Sequence, residues 1–376
     1  MKFIVFAEDW GSHPSSTQHL FSELAKKHEV HWVNSVGMRK PRIRVHDIKR
    51  VFDKVLQLFS SPKTQAIATP ANMKVYKLPI LPWHDNRFIR YVNKRIFSYF
   101  FKANTQAEPV NYWLSVPTAL YLFNTQSQDK MIYYCGDDFS ALAGVDADLV
   151  APFEKQLIAT ADLIYVISDF LLAKMPAGKA KMLSHGVSVE LFSESIIKAD
   201  EIKALTGPVV GFYGSINAWL DIDLLEALAA ARPDYQLVLI GHVVTNVERL
   251  LSFKNVTHIP AVCHKRLASF SAHWDVSILP FVTNEQIRAC DPLKLKEYLA
   301  AGKPIVTTGF PAVNRYDSHL FIADTAAQFI NQLDSALALS ESQLMDLEQA
   351  QQHIASQHSW QSKASIVVSD MRLLNR

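Results

Sequence analysis

The run Asp291-Pro-Leu-Lys-Leu-Lys-Glu-Tyr-Leu-Ala-Ala-Gly-Lys-Pro-Ile-Val306 sets Lys294 three positions before Glu297. Pro292 suits the first turn of a helix, where a missing N–H costs nothing, and Gly302 suits its end. A helix amino terminus offers unpaired N–H groups, and a lysine beside them makes a seat for a diphosphate. Glu297, one turn on, could then accept hydrogen bonds from ribose hydroxyls. The same spacing also fits an ordinary i,i+3 ion pair on an amphipathic helix. A second candidate is Tyr133-Tyr-Cys-Gly-Asp-Asp-Phe-Ser140, where Asp137 and Asp138 follow an apolar run. One of two adjacent carboxylates at the carboxyl end of a strand can act as a general base, because its neighbour's charge raises its pKa. Either aspartate could instead cap the turn that follows.

Further groups could do chemistry. Asp9-Trp-Gly-Ser-His-Pro-Ser-Ser-Thr-Gln-His19 follows the first apolar run directly. His13 is the second choice for a base there, while His19 falls inside the next helix and reads as a packing residue. Ser15, Ser16 or Thr17 caps that helix. Asp146-Ala-Asp148 has the spacing that bridges Mg²⁺ to a diphosphate, but it precedes a helix where acids favour the macrodipole, so it reads as a cap. His185 reads equally as a site residue or a loop histidine.

These groups need elements to hold them. Short apolar runs at 2–7, 30–34, 75–78, 119–123, 131–134, 163–167 and 182–185 alternate with helical patterns at 16–27 and 152–160. A second series runs through strands at 209–213, 235–240, 256–259, 276–279 and 305–308, with helices at 222–231, 265–272 and 293–301. Such alternation predicts parallel α/β architecture, and 376 residues exceed one compact core. Two doubly wound units with a cleft at the carboxyl ends of their strands are expected, joined near 185–206.

Charge is uneven along the chain. The net charge is +2, which argues against a protein that coats nucleic acid. The first 186 residues hold 23 basic and 16 acidic side chains, and the remainder 15 and 20, so the two parts face different partners. Three cysteines without paired spacing exclude a disulfide scaffold and fit a reducing compartment. The opening apolar run stops at Glu8 and Asp9, too short for a signal peptide, and no stretch reaches the roughly 18–20 apolar residues of a membrane span. A cytoplasmic chain is expected.

The segment Pro292–Pro304 resembles the nucleotide-sugar-binding segment of glycosyltransferases with the GT-B fold. Val210-Gly-Phe-Tyr-Gly-Ser-Ile216 looks like the strand and glycine turn that open the donor domain, and Trp274-Asp-Val-Ser-Ile-Leu-Pro-Phe281 like the strand before the donor loop. Ser184-His-Gly-Val187 with Phe192 is similar to the end of the acceptor domain, and His358-Ser-Trp360 to the start of the terminal helix that returns to it. The resemblance implies an α/β GT-B chain of two Rossmann-like domains. Residues 1–186, completed by 358–376, form the acceptor domain, and residues 187–357 the donor domain. It implies donor contacts at Gly214, Ser215, Gly241, Val262, Arg288, Lys294 and Glu297, with backbone at Ala261 and Val262 reading the base. It also implies that lysine and helix dipoles replace a metal, so no metal or cofactor is expected.

The chain departs from the family 4 retaining pattern. Glu297 fits the second of its two glutamates, but the first falls on Ala289, and Ser215-Ile-Asn-Ala-Trp-Leu-Asp221 lacks the basic residues expected after the glycine turn. The arrangement is more similar to GumK-type glucuronosyltransferases of bacterial exopolysaccharide assembly, which invert. That likeness matches Asp138 to the catalytic aspartate and leaves Asp137 the capping role. Arg288, Lys296 or Lys303 could meet a uronic acid carboxylate.

The first part also carries an interaction pattern. Seven basic residues lie within 39–54, and within 83–102 cations alternate with Trp83, Phe88, Tyr91, Phe97, Tyr99, Phe100 and Phe101. At helical spacing Phe88, Val92, Ile96 and Tyr99 share one side. Both segments are expected to meet an anionic membrane surface. A core-facing helix with a solvated edge is the plainer alternative. The function expected is transfer from a nucleotide sugar, a UDP-sugar, to a lipid-linked or polysaccharide acceptor at the inner face of the cell membrane. Family 4-like retention with GDP-mannose and a non-catalytic nucleotide-sugar-binding scaffold are the alternatives.

Overall fold

The computed structural model describes residues 1–12, 15–40, 69–106, 108–142, 144–193 and 196–374. The chain forms two compact units, Met1–Ser184 with Lys363–Arg376, and His185–Ser362. In the first, β1 (Lys2–Phe6), β2 (Glu29–Val33), β3 (Met73–Tyr76), β4 (Val110–Leu114), β5 (Lys130–Cys135), β6 (Leu163–Val166) and β7 (Ala180–Met182) make one parallel sheet. Its order is β3-β2-β1-β4-β5-β6-β7. β1 is the pivot, with Lys2 opposite both Glu29 and Val110.

The second unit repeats the plan with β8 (Val209–Tyr213), β9 (Gln236–Ile240), β10 (Val256–Ile259), β11 (Val276–Leu279), β12 (Ile305–Thr308) and β13 (Phe321–Ala323). The order β10-β9-β8-β11-β12-β13 reverses direction between β8 and β11. At such a switch point the connections leave on opposite faces and open a crevice beyond the strand ends. The doubly wound α/β reading therefore holds in both units.

Some expected elements differ. Residues 119–123 are not a strand: Pro117–Leu122 is a 3₁₀ helix, and the strand lies earlier, at Val110–Leu114. Pro117 fixes a helical φ and lacks an N–H for a ladder, which decides the ambiguous apolar run. Asp146 caps the helix Ala147–Thr160, accepting from the Leu149 N–H at 3.1 Å, and Ser15 caps Ser16–Leu24 through the Gln18 N–H. The unit boundaries fall at 184/185 and 362/363. Val187 N–H donates to His358 O at 2.9 Å and Trp360 N–H to Val187 O at 3.3 Å, which ties both segments into the second unit. Beyond them, within the helix Trp360–Leu374, Lys363 donates to Ser184 Oγ at 2.9 Å and Asp370 accepts from the Tyr165 hydroxyl at 2.8 Å. Among the described residues no helix is long and apolar enough to cross a membrane.

One buried ion pair organises the second unit. Lys296 Nζ lies 2.5 Å from Asp291 Oδ1, with 1% and 3% of the side chains exposed, and Asp291 Oδ2 accepts from the His185 N–H at 3.1 Å. Burial opposes the charge on Asp291, yet Lys296 and His185 hold its carboxyl below the usual range. Burial likewise opposes the charge on Lys296, and Asp291 keeps its ammonium above the usual range. A depressed carboxyl loses its stabilising share only as pH falls through the depressed value, and a raised ammonium only as pH rises through the raised one. The pair thus stays charged throughout the neutral range. Lys296→Ala strands a buried carboxylate and is expected to cost about 3–5 kcal/mol. Urea unfolding of the second unit should show the loss, and an unchanged midpoint would refute it.

Candidate functional site

The carboxyl ends of β8 and β9 meet at two glycines. Gly214 has φ 138° and Gly241 φ 147°, a region side chains rarely enter, and Gly214 N–H donates to Ile240 O at 2.8 Å. A Cβ on Gly241 would stand 1.9 Å from Gly214 O, so the two turns touch backbone to backbone. A Cβ on Gly214 would stand 2.8 Å from Lys294 Cε and 3.2 Å from its Nζ. The lysine is therefore pressed onto the turn.

The helix Leu293–Ala301 brings it there. Tyr298 Oη accepts from the Tyr213 N–H at 3.1 Å, pinning the helix to the last residue of β8. Pro292 supplies no capping side chain to the amino terminus. Lys294 Nζ lies 5.5 Å from the ring centres of Phe212, on β8, and Phe281, just past β11. It sits at the switch point of the sheet and makes no ion pair within 4 Å among the described residues. Burial lowers its pKa, and the Glu297 charge works against that shift. A half-desolvated ammonium with aromatic faces and no carboxylate within ion-pair distance can attract an anion.

Lys294 and Glu297 do not form the i,i+3 pair. Glu297 Oε1 is held instead by His264 Nε2 at 2.6 Å. His264 opens the helix His264–Ser271, directly after the loop that holds Ala261 and half-buried Val262. The loop after β10 and the helix with Lys294 thus converge on Glu297. Sequence reading missed His264, because its partner lies 33 residues away and no local spacing marks it.

The remaining donor candidates lie on several elements of the second unit. Half-buried Ser215 follows Gly214 in a turn that pairs Ile216 with Val243. Arg288 lies half exposed on the short helix Glu285–Ala289 and donates to Glu285 Oε1 at 2.9 Å. Lys296 is spent on Asp291, so its expected availability to a sugar carboxylate is corrected: a buried, paired ammonium has no free face to offer. Lys303 is half-buried beyond the helix end.

In the first unit Asp137 and Asp138 follow β5, at its carboxyl end. Asp138 Oδ1 accepts from the Ser140 N–H at 3.1 Å and hydroxyl at 2.6 Å, and Oδ2 accepts from Lys174 Nζ at 2.5 Å. Burial pushes the Asp138 carboxyl up, but the Lys174 and Ser140 hydrogen bonds prevail and hold it below the usual range. The turn-capping bond thus belongs to Asp138 and not, as expected, to Asp137, since the Ser140 N–H donates to Asp138 Oδ1. The Asp137 carboxylate has no hydrogen-bond or ion-pair partner among the described residues. Crowding and then the adjoining Asp138 charge push its carboxyl up, and because the residue is exposed, water offsets part of that push. Nearby, the Tyr133 hydroxyl donates to Glu154 at 2.5 Å. His13 lies outside the described residues, as do 41–54 of the basic segment. His19 is half-buried inside its helix.

Residues 207–338 match the family described as Glycosyl transferases group 1, and this stretch contains Gly214, Gly241, His264, Lys294 and Glu297. The putative teichuronic acid biosynthesis glycosyltransferase TuaH of Bacillus subtilis (strain 168) is 30% identical over 233 residues, covering 57% of this chain and 59% of that protein. The chain thus spans about three-fifths of the length of the curated relative it matches. Among solved structures, sucrose-phosphate synthase from Thermosynechococcus elongatus has a TM-score of 0.71 at 16% identity, over 100% of this chain and 99% of that one. Anabaena HepE in complex with UDP and glucose has a TM-score of 0.68 at 13% identity, over 99% of this chain and 100% of that one. These whole-chain likenesses show the fold. The chain has the GT-B fold, and within it residues 207–338 match the group 1 glycosyltransferase family.

Proposed function

We propose that this protein is a glycosyltransferase that moves a sugar from UDP to a hydroxyl of a lipid-linked or polysaccharide acceptor, inverting the anomeric carbon without a metal. The observation that carries the reading is the Lys294 ammonium, set against Gly214 at the sheet's switch point with no carboxylate to neutralise it. The UDP and glucose bound by HepE and the teichuronic acid biosynthesis named for TuaH support the donor and acceptor classes. The acceptor reading places the protein at the inner face of the cell membrane.

The second unit holds the donor. Lys294 and the amino terminus of its helix take the diphosphate, Glu297 steadied by His264 meets the ribose, and the loop at Val262 meets the base. The first unit supplies the proton acceptor. As the acceptor oxygen bonds to the anomeric carbon, its proton passes to a carboxylate. The bond from that carbon to phosphate breaks, and UDP leaves with its new charge facing Lys294. Asp138 was expected as the base, but its oxygens are engaged by Ser140 and Lys174. We assign proton removal to Asp137, with Asp138 as the fixed charge that raises its basicity. Retention of configuration would instead point to the family 4-like reading, and tight UDP binding without transfer or donor hydrolysis to the scaffold.

UDP is expected to raise the thermal midpoint of the protein. Lys294→Ala should weaken UDP binding about 10–100-fold, the worth of hydrogen bonds to a charged group. An unchanged Kd by calorimetry would remove Lys294 from the donor site. Asp137→Asn should lower kcat by about 10²–10⁴ while UDP binding persists. Asp138→Asn should cost less and move the acidic limb of the pH–rate profile to lower pH, because Asp137 loses the neighbouring charge that raises its pKa. The reverse pattern would return the base to Asp138, and two nearly normal variants would move it to His13.

A further inference from the structure

The helix Arg87–Gln106 has two apolar sides, and only one of them is used. Asn93, Phe97 and Phe101 are buried in the first unit, where Phe97 and Phe101 stack at 4.5 Å and Asn93 ties the helix to Leu81 O and Tyr121 Oη. At 100° per residue the opposite side carries Phe88, Tyr91, Val92, Arg95 and Tyr99. There Phe88 is 70% exposed, Tyr91 62% and Tyr99 82%. A monomeric soluble protein rarely leaves such a row uncovered. The helix holds five cations, Arg87, Arg90, Lys94, Arg95 and Lys102, and no acidic residue. Trp83, also exposed, extends the row just before its start.

Charge and residue type together select the occupant. A protein partner or a second copy would need acidic groups to meet these cations. A bilayer with anionic headgroups meets both features at once, since tyrosine and tryptophan settle at the headgroup level while arginine and lysine meet phosphates. A groove of about 480 Å³ runs beside the helix, with Lys94, Arg95 and Tyr99 on one side and Asn124 on the other. Lys94 Nζ donates to Asn124 Oδ1 at 2.6 Å, which holds that cation at the groove's edge.

We infer that the outer side of Arg87–Gln106 is a docking surface for an anionic phospholipid bilayer, with Phe88, Tyr91 and Tyr99 entering the interface and Arg95 meeting headgroup phosphates. This sharpens the membrane-side reading above by naming the element and its face. The physical case for docking rests on the exposed row and its charge, and would stand without sugar transfer.

The test is co-sedimentation of the full chain with vesicles of equal parts phosphatidylglycerol and phosphatidylcholine, against phosphatidylcholine alone. Binding is expected to the anionic vesicles, falling about tenfold or more on pure phosphatidylcholine, and weakening from about 0.1 to 1 M salt as screening shortens the reach of each cation. The triple variant Phe88→Ser, Tyr91→Ser, Tyr99→Ser should lose binding about tenfold or more while keeping its thermal midpoint, because all three side chains are exposed. Undiminished binding by this folded variant overturns the inference. So does a dimer in sedimentation velocity that the variant converts to monomer, which would make a second copy the occupant. UDP binding, measured separately on both proteins, tells failure of the transfer reading from failure of this one.

Discussion

An ammonium group pressed against one of two touching backbone turns is the constraint on which the second unit depends. Gly241 admits no Cβ, because it would strike the Gly214 carbonyl, and Gly214 disfavours one, because its φ of 138° suits glycine. Desolvating the lysine costs free energy, and two aromatic faces at 5.5 Å return about 0.5–2 kcal/mol each at most. The remaining deficit is what the proposed anion would remove. The strand order brings Phe212 and Phe281 to the same point, since β8 and β11 are neighbours where the sheet reverses. Topology, glycine and lysine form one device.

The same helix shows how narrowly placement decides role. Lys294 and Lys296 stand two residues apart, about 200° around the axis, in a Lys-Leu-Lys run that gives no hint of which is which. Lys294 turns to rings and a glycine turn. Lys296 turns to Asp291 and to the Tyr316 ring at 4.9 Å, and is neutralised there. One is left as the proposed seat for a ligand and the other is an internal tie. Asp137 and Asp138 repeat the lesson with the opposite charge: Lys174 and Ser140 fix one carboxylate, and its fixed charge tunes the other.

The alternation of short apolar runs and helical patterns was legible in the sequence, and both doubly wound sheets follow it. The glycine turns and the helix from Leu293 were legible as well, because tight turns and helix ends leave local signatures. The strand expected at 119–123 lies instead at 110–114, and 117–122 is a 3₁₀ helix. Both are apolar runs of strand length, and only the φ imposed by Pro117 separates them.

Partners across the fold were not legible. His264 earns its place only when β10 and the Leu293–Ala301 helix bring it within 2.6 Å of Glu297, and no pattern shorter than 33 residues contains that fact. Lys174 reaches Asp138 across 36 residues in the same way. The sequence names groups capable of chemistry, but reactivity belongs to the group left unpaired after the others have found partners. Asp137 and Lys294 are reactive candidates because Asp138 and Lys296 are not free to be. A site of this kind is read by subtraction, and subtraction needs the complete list of neighbours that only the folded chain supplies.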